Sequence, residues 1–141
     1  MIKIKNTGEF IVDFSVPGTQ TAATNKKFFV LPFACILKAI YGKLGTAGTT
    51  GSQINDINKN GTTVFSAAAK QTFASTAVDP TYSALSVDPT AFVKGDNVSI
   101  DVDSIHTTAA VNLGVILVFQ RLRGTGQVAA TVTSGVGPEN E

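Results

Sequence analysis

The stretch Asn97–Gln120, NVSIDVDSIHTTAAVNLGVILVFQ, decides the fold. Its first seven residues alternate between apolar and polar side chains, the pattern of a β-strand with one buried and one solvated face. The apolar set is Val98, Ile100 and Val102, and the polar set is Ser99, Asp101 and Asp103. Its last eight residues, 113–120, would place apolar side chains on both faces of a strand, which predicts a central strand covered on both sides. The stretch therefore predicts two β-strands.

Further strands and turns are predicted upstream of this stretch. Segment 9–16, EFIVDFSV, alternates in the same way and predicts a half-buried strand. Its apolar face is made of Phe10, Val12, Phe14 and Val16. The pair Asn60-Gly61 readily takes positive φ and lies between apolar residues, which predicts a β-hairpin. Residues 94–96, KGD, predict a turn that leads directly into the strand at 97–103.

The segment 28–44, FFVLPFACILKAIYGKL, allows two interpretations. A helix that begins at Pro32 would have one apolar face, made of Ile36, Leu37, Ile40 and Leu44. A strand bent at Pro32 would alternate instead, with Cys35, Leu37, Ala39 and Tyr41 on one face. The glycines at positions 42 and 45 and the aromatic and β-branched content favour the strand.

The spacing of these elements predicts the fold class and the domain boundaries. Short strands that recur roughly every 8–12 residues are typical of an all-β fold, here an antiparallel β-sandwich that is jelly-roll-like. The length of 141 residues favours one domain, which we place at residues 1–123. After Arg123 the sequence becomes rich in glycine and ends with acidic residues. We interpret residues 124–141 as an extended C-terminal arm.

The composition excludes several classes of protein. Only 15% of the residues are charged and the net charge is +1, so the sequence indicates no basic surface for nucleic acid. Hydrophobic residues reach 43%, which excludes disorder driven by charge. No apolar run approaches the roughly 20 residues of a membrane span, and the N-terminus MIKIKNTGEF lacks the apolar stretch of a signal peptide. We therefore expect neither a nucleic-acid partner nor a membrane partner.

Two motifs suggest ligand binding, and both fail in detail. Asp56–Gly61, DINKNG, matches the first half of a calcium loop, but Ala67 stands where the loop needs its glutamate. Gly45, Gly48 and Gly51 have a nucleotide-loop spacing without the lysine and the helix that hold a phosphate. We interpret the first motif as a hairpin turn and the second as a flexible connector.

No set of residues predicts catalysis. His106 is the single histidine, and Asp103 and Ser104 lie too close to it in sequence to complete a triad. We expect His106 at the surface or at an interface, and Cys35 as a small core residue. Asp101 and Asp103 share a strand face about 7 Å apart, which suits paired carboxylates, but a solvated face explains them better. One cysteine and one histidine also exclude a structural zinc site. We expect no catalytic residue, cofactor or metal.

The order of turns and strands resembles a β-rich structural domain of tailed-bacteriophage virion proteins. A Gly/Thr loop in Tyr41–Gly51, YGKLGTAGTTG, precedes a D-I-x-K-N-G hairpin in Ile54–Ser66, INDINKNGTTVFS. A G-D-x-hydrophobic-D-V strand follows in Val93–Val102, VKGDNVSIDV, and then the apolar strand Leu113–Phe119. The resemblance covers about residues 28–120. It rests on turn and strand patterns and includes no catalytic residue.

This resemblance implies a non-enzymatic structural protein of the virion. Such domains decorate capsids as cement or head-fibre proteins, or form parts of tail fibres and tail tips. We therefore expect a capsid decoration protein on the outer surface of the virion, made in the host bacterial cytoplasm. It would self-associate, as a trimer, and bind the major capsid protein. The alternative is a tail-fibre or tail-tip adhesin that binds a host carbohydrate through Tyr41, Tyr82 or Phe92.

Overall fold

The computed structural model describes residues 8–66, 70–81 and 91–122, whose regular structure is entirely β-strand. The strands are β1 (Glu9–Asp13), β2 (Val16–Thr19), β3 (Ala23–Val30), β4 (Cys35–Thr46), β5 (Gln53–Lys59), β6 (Thr62–Thr63), β7 (Gln71–Phe73), β8 (Ala91–Phe92), β9 (Asn97–Ser104) and β10 (Val111–Arg121). They form two antiparallel sheets, so the predicted all-β antiparallel sandwich is confirmed. The described residues include no helix long and apolar enough to cross a membrane.

Each sheet has five strands. In the first sheet the order is β1-β10-β4-β8, and β2 also pairs with β10. In the second sheet the order is β3-β9-β5-β6, and β7 also pairs with β5. The pairs are nested along the chain: β1 pairs with β10, β3 with β9, β4 with β8, and β5 with β6.

The hydrophobic core lies between the sheets and follows the predicted alternation. Every second residue of β10 from Leu113 to Phe119 points into the core. These four residues are at most 2% exposed: Leu113, Val115, Leu117 and Phe119. β9 turns Val98, Ile100 and Val102 inward, as predicted. The ring of Phe119 stacks on Phe10 with centroids 5.3 Å apart and meets Phe92 edge-on at 5.4 Å. This aromatic cluster joins strands β1, β8 and β10.

Residues 28–44 are strand rather than helix, as favoured above. They belong to two strands, however, and not to one strand bent at Pro32. β3 ends at Val30 in the second sheet, residues 31–34 cross between the layers, and β4 begins at Cys35 in the first sheet. Pro32 lies in the crossing, where the chain needs no ladder hydrogen bond from it.

The predicted alternation of β4 is wrong after Leu37. Across the ladder, Val118 lies opposite Ala39 while the next residue of β10, Phe119, lies opposite Leu37, so Lys38 is an extra residue. Such a β-bulge shifts the side chains that follow it to the other face. The inward residues beyond the bulge are Ile40 and Leu44, and Tyr41 is exposed.

Segment 9–16 forms two strands, β1 and β2, where one strand was predicted. Its apolar face is confirmed, since Val12 and Phe14 are buried. The ladder breaks at Ser15, whose backbone N–H donates to the Asp13 carboxylate at 2.8 Å. The Ser15 hydroxyl in turn accepts the Val115 N–H at 3.2 Å. These local side-chain bonds replace strand pairing at this point.

Two predicted turns are confirmed. Asn60 and Gly61 both have positive φ, 48° and 86°, which is the I′ conformation that joins two antiparallel strands tightly. Lys94 and Gly95 form the turn before β9, with φ of 93° at Gly95. Residues 124–141, interpreted as an arm, lie outside the described residues, and so does Ala67.

Candidate functional site

The outer surface of the first sheet is the candidate functional surface. Residues directly opposite each other in an antiparallel ladder point to the same face of the sheet. Ile11 on β1 and Ala39 on β4 both lie opposite Val118 on β10. In the adjacent row, Asp13 and Tyr41 both lie opposite Ile116. The apolar members of these two rows form what we call the outer patch: Ile11, Ala39, Tyr41, Ile116 and Val118.

The outer patch is apolar and open to solvent. Ile11 is 61% exposed and Tyr41 is 56% exposed, and the other three members are half-buried. The sequence of 113–120 predicts cover on both sides of β10. Within the described residues that cover exists on the inner side alone, and the prediction for the outer side is not met. A contiguous exposed apolar group on a sheet face is a candidate contact surface for another molecule.

Charged side chains border the outer patch with opposite signs on its two sides. The acidic side, on β1, has Glu9 and Asp13, and the basic side, on β4, has Lys38 and Lys43. Hydrogen bonds from Ser15 hold the pKa of the Asp13 carboxyl below its usual range, so Asp13 is ionised at neutral pH. Lys43 contacts Asp79 at 3.0 Å, but both side chains are exposed and such pairs are weak. An apolar centre with a charged rim is the usual anatomy of a protein interface.

The edge strand β3 is the second exposed apolar element. Seven of its eight residues are exposed, and among the described strands it pairs with β9 alone. Phe28 is 66% exposed, Val30 54% and Phe29 38%. An apolar edge strand with unpaired backbone groups is a template for pairing with a further strand. The sequence did not reveal this edge, because its exposure depends on which strand lies beside it.

A chain of buried amide side chains crosses the interior between the sheets. Gln53 Nε2 donates to Gln20 Oε1 at 3.3 Å and to Asn55 Oδ1 at 3.1 Å. Asn55 Nδ2 donates to Gln71 Oε1 at 2.9 Å. All four residues are at most 1% exposed. Gln71 fits because Gly42 has no side chain: a Cβ there would lie 2.5 Å from Gln71 Nε2. This chain is a structural feature of the core, since it is closed to solvent.

The carboxylates that the sequence singled out are held by neighbouring side chains. Lys70 Nζ lies 3.0 Å from Asp56 and 2.9 Å from Asp103. Asp103 and then Asp56 raise the pKa of Lys70, which stays charged. Asp56 also accepts the Thr63 hydroxyl. In this arrangement one ammonium group neutralises two carboxylates.

Asp101 is half-buried and bound on both oxygens. It accepts the Asn58 side-chain amide at 2.9 Å and the Asn25 backbone N–H at 2.7 Å. Ser99 was predicted to face solvent and is instead 2% exposed, because it lies between Phe28 and Asn58 in the sheet. Among the described residues, no group of three or more histidine, cysteine and carboxylate side chains is placed to hold a metal ion.

The prediction that His106 lies at the surface or at an interface is wrong. His106 is 1% exposed, and its Nε2 lies 3.2 Å from the Ala74 carbonyl oxygen. The ring sits against Gly48, where a Cβ would lie 2.3 Å from Nδ1. The Gly45–Gly51 segment is therefore not a free connector: Thr49 pairs with Thr108 and holds the loop over the histidine. The neighbouring Asp103 and Ser104 do not join His106, since Ser104 donates to the Ser52 carbonyl oxygen and Asp103 binds Lys70.

Cys35 is a buried core residue, as predicted. Burial raises the pKa of its thiol to about 11, so it is protonated and unreactive at neutral pH. Of the aromatic residues considered for a carbohydrate site, Phe92 is 1% exposed and packs in the core, so its assignment to that site is wrong. Tyr41 is exposed and belongs to the outer patch, and Tyr82 lies outside the described residues.

Comparison of the chain with protein-family models, with curated proteins and with solved structures finds no match. The proposed function therefore depends on the surfaces of the molecule. The outer patch was not identified from the sequence. Its one signal in the sequence was that segment 113–120 also has apolar side chains on the face that points away from the core. Which residues of β1 and β4 lie beside them is known only from the strand register.

Proposed function

We propose that the protein is a non-enzymatic structural protein of a tailed-bacteriophage virion, a capsid decoration protein on the outer surface of the shell. Copies associate through the outer patch, as a trimer, and bind the major capsid protein, without nucleic acid or membrane. The resemblance of residues 28–120 to phage virion domains suggests this setting. The main observation in support of self-association is the exposed outer patch.

The order of the strands supports the virion setting at the level of the fold. We infer that the sandwich is a jelly roll, because its strand pairs are nested along the chain from the outermost to the innermost. Jelly rolls build many viral capsid domains, and also lectins. The fold is therefore compatible with both the decoration role and the adhesin alternative, and the surfaces have to distinguish them.

A second copy of this chain is the occupant that the outer patch fits. Its acidic β1 side and basic β4 side are complementary to each other and lie on opposite sides of the apolar centre. A contact of the β1 side of one copy with the β4 side of the next pairs opposite charges. Such a head-to-tail contact is heterologous, and it closes into a ring when the rotation between copies allows it. A trimer is a ring of this kind.

The low charge content supports the same proposal. A virion part has to pack against many neighbours, and each buried unpaired charge would cost several kcal/mol. Since only 15% of its residues are charged, this chain would bury few charged side chains in such contacts. The Thr-rich strands leave polar groups that form hydrogen bonds without a net charge.

The proposal is tested by mixing purified protein with phage shells that lack it. We expect a trimer by sedimentation velocity and co-sedimentation with the shells at a fixed ratio. Ile116→Lys should abolish trimer formation, and Lys94→Glu, an exposed charge change outside the outer patch, should not. A strict monomer that does not bind phage shells would contradict the proposal.

The alternative function is a tail-fibre or tail-tip adhesin for host carbohydrate. Tyr41 is exposed as this function requires, but Phe92 is buried and unable to stack on a sugar. The decoration role is therefore preferred. Binding to a glycan array that is lost in Tyr41→Ala, from a protein that stays monomeric, would favour the adhesin instead.

A further inference from the structure

The edge of β3 that faces away from β9 presents backbone groups at Phe28 and Val30. Val30 lies opposite Asn97, but the Asn97 N–H donates to the Asn60 side-chain oxygen at 2.9 Å, and its carbonyl oxygen accepts the Asn60 N–H at 2.8 Å. Asn97 therefore bonds away from β3. Bonded and non-bonded pairs alternate along an antiparallel ladder, so Phe28, two residues earlier, is placed in the same way. The N–H and C=O groups of both residues point to the side where no other described strand pairs with β3.

The side chains at these same two positions are apolar and exposed. Phe28 is 66% exposed and Val30 is 54% exposed. They lie on one face of the sheet, because residues two apart along a strand point the same way. This face points away from the core, since Val98, opposite the intervening Phe29, points into the core. A strand added at this edge would therefore gain backbone hydrogen bonds and apolar contacts from the same two residues.

The only charges on β3 are positive. Lys26 Nζ donates to the Thr21 hydroxyl at 2.7 Å, and Lys27 is exposed. Hydrogen bonds from Ser15 and, to a smaller extent, the charge of Lys27 lower the pKa of Asp13. Among the described residues, however, neither lysine forms an ion pair within 4.0 Å. A carboxylate opposite Lys27 on an added strand would stabilise the pairing.

Charge disfavours a second copy of β3 at this edge. Residues 21–34, TAATNKKFFVLPFA, contain two lysines and no acidic residue. Antiparallel pairing of two such edges would gather the lysines of both copies along one seam without a carboxylate between them, and like charges across a ladder are destabilising. An acidic segment of another protein avoids this repulsion and is complementary to the edge.

We propose that the edge of β3 binds an extended segment of a partner protein as an added antiparallel strand. The segment has the order apolar, any residue, apolar, acidic. Its apolar residues lie opposite Val30 and Phe28, and its acidic residue lies opposite Lys27. In this mode of recognition the main-chain hydrogen bonds give affinity and alternate side chains give specificity. The inference does not rest on the virion role, and copies of the chain still meet through the outer patch.

Amide NMR spectra of the full chain, titrated with two synthetic peptides, test the proposal. The peptides are TVTVET and TVTVKT, acetylated and amidated so that their ends carry no charge. TVTVET should shift the amide signals of Phe28 and Val30, and TVTVKT should bind at least about threefold more weakly. Lys27→Glu should reverse this preference. Lys94→Glu, the matched change of an exposed lysine outside β3, should leave it unchanged.

A backbone variant tests the hydrogen bonds themselves. Val30→Pro removes an N–H that points away from β9, a position where an edge strand tolerates proline. It should weaken binding of TVTVET at least about threefold, while the β9 amides keep their protection from hydrogen exchange. The charge reversal at Lys27 leaves the backbone unchanged, so it tests the proposal even where the proline variant does not fold.

Three results would overturn the proposal. The first is that neither peptide binds, and the second is that the parent binds both equally well. The third is that the signals of Phe28 and Val30 shift with protein concentration in the absence of peptide, which would identify a second copy as the occupant of the edge. Trimer formation is read separately by sedimentation, so failure here is distinguishable from failure of the proposed function.

Discussion

Replacement of Ile11 by serine should weaken the association of copies without unfolding the monomer. Ile11 is 61% exposed and belongs to the outer patch, where it lies opposite Val118. Burial of a whole isoleucine side chain contributes about 1.5–3 kcal/mol. Burial of this exposed fraction at a contact therefore contributes about 1–2 kcal/mol, so its loss should raise the dissociation constant roughly 5- to 30-fold per contact.

Sedimentation equilibrium of the full chain over a wide concentration range measures this constant. Val93→Ser is the matched control, because Val93 is also 61% exposed and lies on the connection between β8 and β9. Both substitutions remove the same kind of surface, so both monomers should unfold within about 0.5 kcal/mol of the parent. Only Ile11→Ser should shift the association.

The reasoning is refuted if the two variants associate equally well. It is also refuted if the parent stays monomeric at every concentration. A loss of association in both variants together with a loss of stability would place the effect in the fold and not in the outer patch.

Three further predictions concern the fold. Gly48→Ala places a Cβ 2.3 Å from His106 Nδ1 and should cost at least about 2 kcal/mol in urea unfolding; a His106→Ala background should reduce that cost. Phe119→Ala empties the aromatic cluster and should cost about 3–5 kcal/mol in the same assay, and a value below about 1 kcal/mol would contradict the described core. Hydrogen bonds from the Val93 backbone and from Asn60 hold the pKa of Asp96 below its usual range. The ionised carboxylate therefore stabilises the fold above about pH 4, and this contribution is lost as the pH falls through the lower folded-state pKa. Asp96→Asn should unfold more easily at neutral pH, and its melting temperature should fall less steeply than that of the parent between pH 6 and pH 2.

Strands with a regular alternation were predictable from the sequence because a period of two is a local property. β9 and the Asn60-Gly61 hairpin follow from a few adjacent residues each. β4 was ambiguous for a physical reason. Its bulge at Lys38 puts the inward residues at 37, 40 and 44, which imitates the spacing of a helix face. Only the ladder to β10 distinguishes the two.

The features that concern function depend on contacts distant in sequence. His106 is buried because a loop some sixty residues earlier lacks a side chain at Gly48. Nothing in the residues around His106 indicates that contact. The outer patch likewise joins Ile11, Tyr41 and Val118, which are brought together by strand register. The sequence of β10 predicted that its outer side is covered, and a second copy is our proposal for what covers it.

Cryo-electron micrographs of virions assembled with and without this protein test the central claim most directly. We predict added density on the outer surface of the head, at three-fold positions, in virions that contain the protein and none there in virions that lack it. Heads that look the same in both preparations, or added density at the tail alone, would contradict the account.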